Sequence, residues 1–141
     1  MEEQDKYILA LDVGTQRIGL AKGRLLTRLA APLQTIRRRS VRKDSQQLAA
    51  ICQQQKIAVI LVGLPLQLDG QEGRSARLAR QVGDALHELT GLPVQYHDER
   101  FSSVEAERRL REVGKSFHKR KKQIDEIAAA VILEDWFQNQ G

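Results

Sequence analysis

Ile57 to Val62, IAVILV, is an unbroken run of six apolar residues between Lys56 and Gly63. It is far shorter than the ~18 residues that span a bilayer, and shorter than an ordinary buried helix. Its β-branched residues mark it as a strand, and a strand apolar at every position needs cover on both faces. A chain built around such a strand folds in layers, with a sheet in the middle.

The flanking segments supply those layers. Tyr7–Val13 (YILALDV), Arg17–Gly23 (RIGLAKG) and Leu29–Arg37 read as strands, and the short connection at Gly14–Thr15 suits a hairpin. Ser40–Gln55 places Val41, Leu48, Ala49 and Cys52 at helical spacing. A turn-rich loop follows Val62 (Gly63, Pro65, Asp69, Gly70, Gly73), then a helix over Ser75–Thr90 that ends at Gly91. Pro93–His97 is a short strand. Ser102 and Glu105 have capping-box spacing for a helix running to about Val113, Gly114–Lys122 reads as a basic loop, and Ile124–Phe137 is the last helix. The order β-β-β-α-β-α-β-α-α predicts an α/β fold with a mixed five-stranded sheet and helices on both faces.

Length and composition narrow the class. A chain of 141 residues fits one domain, 1–141, and 41% hydrophobic with 29% charged residues excludes a disordered chain. The single cysteine, Cys52, excludes an internal disulfide and a cysteine-built zinc cluster, and its helical position makes it a core residue. No apolar run spans a bilayer, so no membrane partner is expected. The polar start, Met1–Lys6, is unlike a signal peptide, so a reducing, cytoplasmic setting is the expectation.

Charge is segregated. Residues 13–43 hold nine basic residues and no acid, and residues 100–122 hold nine basic residues against three acids. The two stretches therefore carry +15 in a chain whose net charge is +5. Clustered Lys and Arg suit a polyanion, because each neutralised phosphate releases counterions. Nucleic acid is the expected partner, RNA or DNA, since phosphate charge is common to both. Aromatic residues are 4%, too few for a stacking platform. Arg17, Arg100 and the run Lys119, Arg120, Lys121 and Lys122 are the cations singled out for substrate, and Thr15 beside Gly14 presents backbone N–H groups to a phosphate.

Three acids stand where chemistry is expected. Ligands of open α/β sheets lie beyond the carboxyl ends of parallel strands, which selects Asp12, the loop after Val62, and Asp98-Glu99-Arg100. Adjacent strand residues point to opposite faces, so only one of Asp98 and Glu99 can face Asp12. Counting about 100° per residue from Ile124, the residues Ala128, Ile132 and Trp136 lie within about 120° of it. Asp125 falls inside that stripe at about 100°, whereas Glu126 and Glu134 fall outside it. An acid turned inward from a first helical turn needs a partner, since the helix N-terminus contributes only ~0.3–1 kcal/mol. Converging carboxylates suit a hard cation that keeps waters and substrate phosphates among its ligands, Mg²⁺ or Mn²⁺. Two such ions support phosphodiester hydrolysis.

Four blocks then carry a resemblance over nearly the whole chain: LALDVGTQRIGLA at Leu9–Ala21, VGLPLQLDG at Val62–Gly70, YHDERFSSVEAE at Tyr96–Glu107 and IDEIAAAVILEDW at Ile124–Trp136. They resemble the YqgF (RuvX) family of the ribonuclease H-like superfamily. The resemblance implies a ribonuclease H-like fold and a pre-16S rRNA nuclease acting in ribosome biogenesis on a ribosomal precursor particle. A Holliday-junction resolvase is the alternative activity. By motif match, Asp12, Glu99 and Asp125 become the catalytic and metal-ligating acids of a two-metal site. From a different class, a non-catalytic nucleic-acid-binding factor would use the same basic segments and need no divalent metal. Asp12-x-Gly14-Thr15 is also similar to the phosphate loop of actin-like ATPases, but those need two such domains around the nucleotide, and 141 residues cannot supply both.

Overall fold

The computed structural model describes residues 6–98, 108 and 123–139. Within them the elements follow the order expected from the sequence. They are β1 (Tyr7–Val13), β2 (Arg17–Arg24), β3 (Leu29–Arg37), α1 (Val41–Gln54), β4 (Ile57–Leu64), α2 (Arg74–Thr90), β5 (Val94–Asp98) and α3 (Gln123–Gln138). The strands form one sheet in the order β3-β2-β1-β4-β5, antiparallel over β3-β2-β1 and parallel over β1-β4-β5. β4 runs two residues further than the apolar stretch announces: Gly63 and Leu64 still pair with β5, so the loop begins at Pro65. The capping box at Ser102 and the basic loop at 114–122 lie outside the described residues, where Arg108 alone is described, and is helical.

Both faces of the sheet are covered. Leu9, Leu11, Ile18, Leu20, Ile60 and Val62 point to the α1–α2 side and pack on Leu48, Val82 and Leu86. Ile8, Ala10, Ala21 and Leu61 point the other way, onto Ala129, Ile132, Leu133, Trp136 and Phe137 of α3. The alternation along β1 assigns Asp12, two residues beyond Ala10, to the α3 side.

Local chemistry sets the helix ends. Ser40 Oγ accepts from Lys43 N at 3.1 Å to cap α1, and Gly91 ends α2 with a left-handed φ of 73°. Gly83, inside α2, leaves room for the Tyr96 ring, whose hydroxyl donates to Asp84 at 2.6 Å. That burial and hydrogen bond push the Tyr96 phenol well above its usual pKa. Cys52 is core as expected, and burial raises its thiol to about 11.

Candidate active site

The site is organised around a glycine. Asp12 of β1 is the direct partner of Gly19 in β2, and Gly19 is the direct partner of Thr35 in β3. Side chains opposite one another share a face, so this row faces α3. A methyl group at position 19 would overlap the backbone carbonyl of Asp125. Only glycine lets the first turn of α3 sit this low on the sheet. The close approach brings Asp125 down beside the strand that pairs with Asp12.

Two residue pairs further towards the β1–β2 turn, and so on the same face, Arg17 and Arg37 stand opposite each other. Arg17 Nε donates to Asp125 Oδ2 at 2.6 Å, with the arginine side chain 42% and the aspartate 24% exposed. Arg17, selected from the sequence as a substrate cation, thus sits on one of the selected acids. Thr15 lies exposed in the turn itself, where Gly14 N donates to Arg17 O at 2.8 Å.

The register also orients the other acid pair. Val94 and Tyr96 of β5 pack on the α1–α2 side, which assigns Asp98 to that side too, away from Asp12. Glu99, Arg100 and Lys119–Lys122 lie outside the described residues. Among the described residues no three His, Cys, Asp or Glu side chains gather to hold a metal ion. Asp12 and Asp125, oxygen donors brought to one face by the Gly19 contact, fit a hard cation as two members of such a set.

The helix phase differs from the sequence expectation. Ala128 and Val131 form a cluster apart from the sheet-facing one, and the sheet-facing arc is centred on Ala129, Leu133 and Trp136. Residues Ile127–Leu133 are apolar without interruption, so periodicity alone does not fix which side meets the sheet. Asp125 remains on the sheet side in either phase. Glu126, expected outside the stripe, is also turned to the sheet: Thr35 Oγ1 donates to its Oε1 at 3.4 Å. Burial, with the Asp125 charge as a smaller cause, raises the Glu126 pKa, and the Thr35 hydrogen bond opposes this.

Behind the turn lies a support that sequence reading missed. Asp44, fully buried at the start of α1, accepts from Arg38 Nε at 3.1 Å and from Arg39 N at 3.0 Å. Arg38 Nη1 donates in turn to Gly14 O at 3.1 Å, and Arg38 N to Gln16 O at 2.9 Å. Within the basic stretch 13–43, the cations of Arg37–Lys43 therefore do not share one environment. Arg38 ties the β1–β2 turn to α1, while Arg37 is exposed. An acid four residues after Ser40 and six after Arg38 was the available signal. A lone strand histidine is more often structural than a base, and His97 accordingly joins β5 to α3 through Asp135 at 2.6 Å.

With this geometry in hand, relatives are informative. Solved structures share the fold across the whole sheet. RuvC of T. thermophilus in complex with a Holliday junction substrate aligns with a TM-score of 0.56 at 14% identity, covering 94% of this chain and 93% of that one. Fowlpox virus resolvase with Holliday junction DNA aligns with a TM-score of 0.60 at 9% identity, covering 94% and 97%. Sequence relatives are nearer. A protein of Anaeromyxobacter sp. (strain Fw109-5) is 45% identical over 128 residues, 91% of this chain and 93% of its own. One of Chloroflexus aurantiacus is 40% identical over 132 residues, 94% of this chain and 86% of its own. Both carry the name "Putative pre-16S rRNA nuclease". The family model described as "RuvX: Holliday junction resolvase" matches residues 6–139, and on that match and those identities the chain belongs to the RuvX family.

Proposed function

We propose that this chain is a single nuclease domain, residues 1–141, that hydrolyses phosphodiester bonds with Mg²⁺ or Mn²⁺, its substrate being the 5′ end of pre-16S rRNA. The observation that carries this reading is the Gly19 contact, which seats Asp125 over the strand that pairs with Asp12. Buried apolar packing has no use for two carboxylates on one face, and oxygen donors so placed suit a hard cation. Relatives named for pre-16S rRNA support the substrate.

Asp12, Glu99 and Asp125 would hold the metal, which supplies activation of a water and neutralisation of the leaving oxygen. Arg17 holds the Asp125 carboxylate in place and neutralises it. Gly14 N is used within the turn, on Arg17 O, so it is Thr15, at the exposed tip of a turn fixed from behind by Arg38 and Asp44, that offers its backbone N–H to a phosphate. Arg100 and Lys119–Lys122 carry the flanking backbone.

The test is cleavage of end-labelled pre-16S leader RNA, matched DNA and a four-way DNA junction, with and without Mg²⁺ or Mn²⁺. Metal-dependent RNA cleavage that Asp12→Asn abolishes supports the reading. Cleavage confined to the DNA junction replaces it with the resolvase activity in the family description. Binding without metal-dependent cleavage of any substrate leaves a nucleic-acid-binding factor.

A further inference from the structure

A groove of about 550 Å³ opens beside the candidate active site, between β3 and the first turn of α3. Its walls include Arg17, Gln34, Thr35, Arg37 and Glu126, with Leu33 as an apolar side. That volume lies in the range of small-molecule pockets, ~300–1,000 Å³, and admits a nucleotide. β3 is the edge strand of the sheet, and its pairing with β2 slips at Leu33: Leu20 pairs with Gln34 and Ala21 with Pro32. Bulges on edge strands re-aim side chains and often lie next to active sites.

Two features of the groove are unfavourable for an empty protein surface. Arg17 and Arg37 are directly opposed across the β2–β3 pair, and like charges so placed destabilise a sheet. Arg17 is offset by Asp125, but among the described residues no acid pairs with Arg37. A phosphate between the two guanidiniums removes that repulsion with charge-assisted hydrogen bonds. The second feature is an acid in a groove otherwise cationic. Glu126 meets Thr35 at 3.4 Å, long for an O–H···O bond, and no other donor reaches it among the described residues. A carboxylate beside a nucleic-acid backbone repels phosphate and needs a donor. The sugar of DNA offers none within the chain, whereas ribose offers its 2′-hydroxyl.

Resting on the nuclease reading above, we propose that this groove seats one nucleotide of the substrate strand, its phosphate between Arg17 and Arg37 and its 2′-hydroxyl on Glu126 and Thr35. The groove thereby selects RNA over DNA next to the scissile bond.

Binding measured in EDTA separates the groove from the chemistry. The probes are fluorescein-labelled oligouridine and oligodeoxyuridine of equal length, which differ only at the 2′ position, read by anisotropy over a salt series. The wild-type chain should bind the ribo probe about fivefold or more tightly. Glu126→Ala and Thr35→Val should each bring the two probes to within about twofold, and Glu126→Gln, which keeps an acceptor oxygen, should retain part of the preference. Arg37→Ala should weaken both probes alike and make the slope of log K against log salt shallower by ~0.7, one single-strand phosphate. Arg37 is exposed, so this variant tests binding in a folded protein, checked by its thermal transition. Unchanged affinity and slope in Arg37→Ala overturn the proposal, and so does a ribo preference that survives Glu126→Ala. Should cleavage never be observed while these binding changes occur, the nuclease reading fails and the groove stands. Cleavage with unaltered groove variants gives the converse.

Discussion

Two arginine–aspartate pairs flank the β1–β2 turn, and they differ in almost everything except their chemistry. Arg38–Asp44 is buried, with side-chain exposures of 10% and 0%, and its remaining hydrogen bonds go to backbone. Arg17–Asp125 lies at 42% and 24% exposure on the α3 side of the sheet, beside a groove and the Asp12 strand. Burial makes the first pair a fastener: the charges have nowhere else to go. Access makes the second exchangeable, because water, a cation or a phosphate can take over either partner. On the proposed nuclease reading, the same two residue types serve structure on one side of the turn and chemistry on the other.

The comparison is broken or sharpened by substitution, beginning with the fastener. Removing one member of a buried pair leaves the other charge uncompensated, at a cost of ~3–5 kcal/mol. Asp44→Ala should lose about that much in urea denaturation, while Asp44→Asn, which still accepts from Arg39 N, should lose less. A loss below ~1 kcal/mol for Asp44→Ala would erase the distinction between the pairs.

For the exposed pair the large effect is on activity. Asp125→Asn and Asp12→Asn should each lower metal-dependent cleavage by at least ~10²-fold, equivalent to about 2.7 kcal/mol of barrier. Their folding stability should hold within ~1 kcal/mol or rise, since neighbouring acids repel in the absence of metal. A fully active Asp125→Asn would remove that residue from the metal set.

Tyr96–Asp84 offers a neutral-to-charged link as an intermediate case. Tyr96→Phe should lose ~1 kcal/mol, the net worth of a hydrogen bond. The folded-state phenol titrates above its ordinary value of ~10, so its contribution is intact below that pH and falls as pH rises past it. The Tyr96→Phe variant should lack that part of the alkaline decline, as measured by thermal melts from pH 8 to 11.

The smallest stability change belongs to Arg17→Ala. An exposed pair contributes ~0–1 kcal/mol, so denaturation should barely move. Loss of a phosphate contact should appear in nucleic-acid binding instead. A destabilisation rivalling Asp44→Ala would make Arg17 a fastener too.

By itself the sequence determined the element order over the described residues, the layered α/β class and the inward placement of Asp125. These follow from local signals: the all-apolar IAVILV strand, a short glycine turn, Ser40 and Gly91 at helix ends, and an acid beside an apolar stretch. Cys52 as a core residue was equally legible, because a lone cysteine at helical spacing has a local reading. What tertiary structure alone decided is which surfaces meet. The rotation of α3 was hidden because Ile127–Leu133 is apolar throughout, so Glu126, which helical spacing sets outside the apolar stripe, turned out to face β3. The division of Arg37–Lys43 into a buried clasp and an exposed cation depends on Asp44 being covered, which a run of charges cannot announce. Gly19 reads in sequence as one more strand glycine; its reason is the carbonyl of Asp125, more than a hundred residues away along the chain, pressed against it. Local physics fixes periodicity and turns, whereas which face is used, and what lies opposite a missing side chain, are properties of contacts between distant segments.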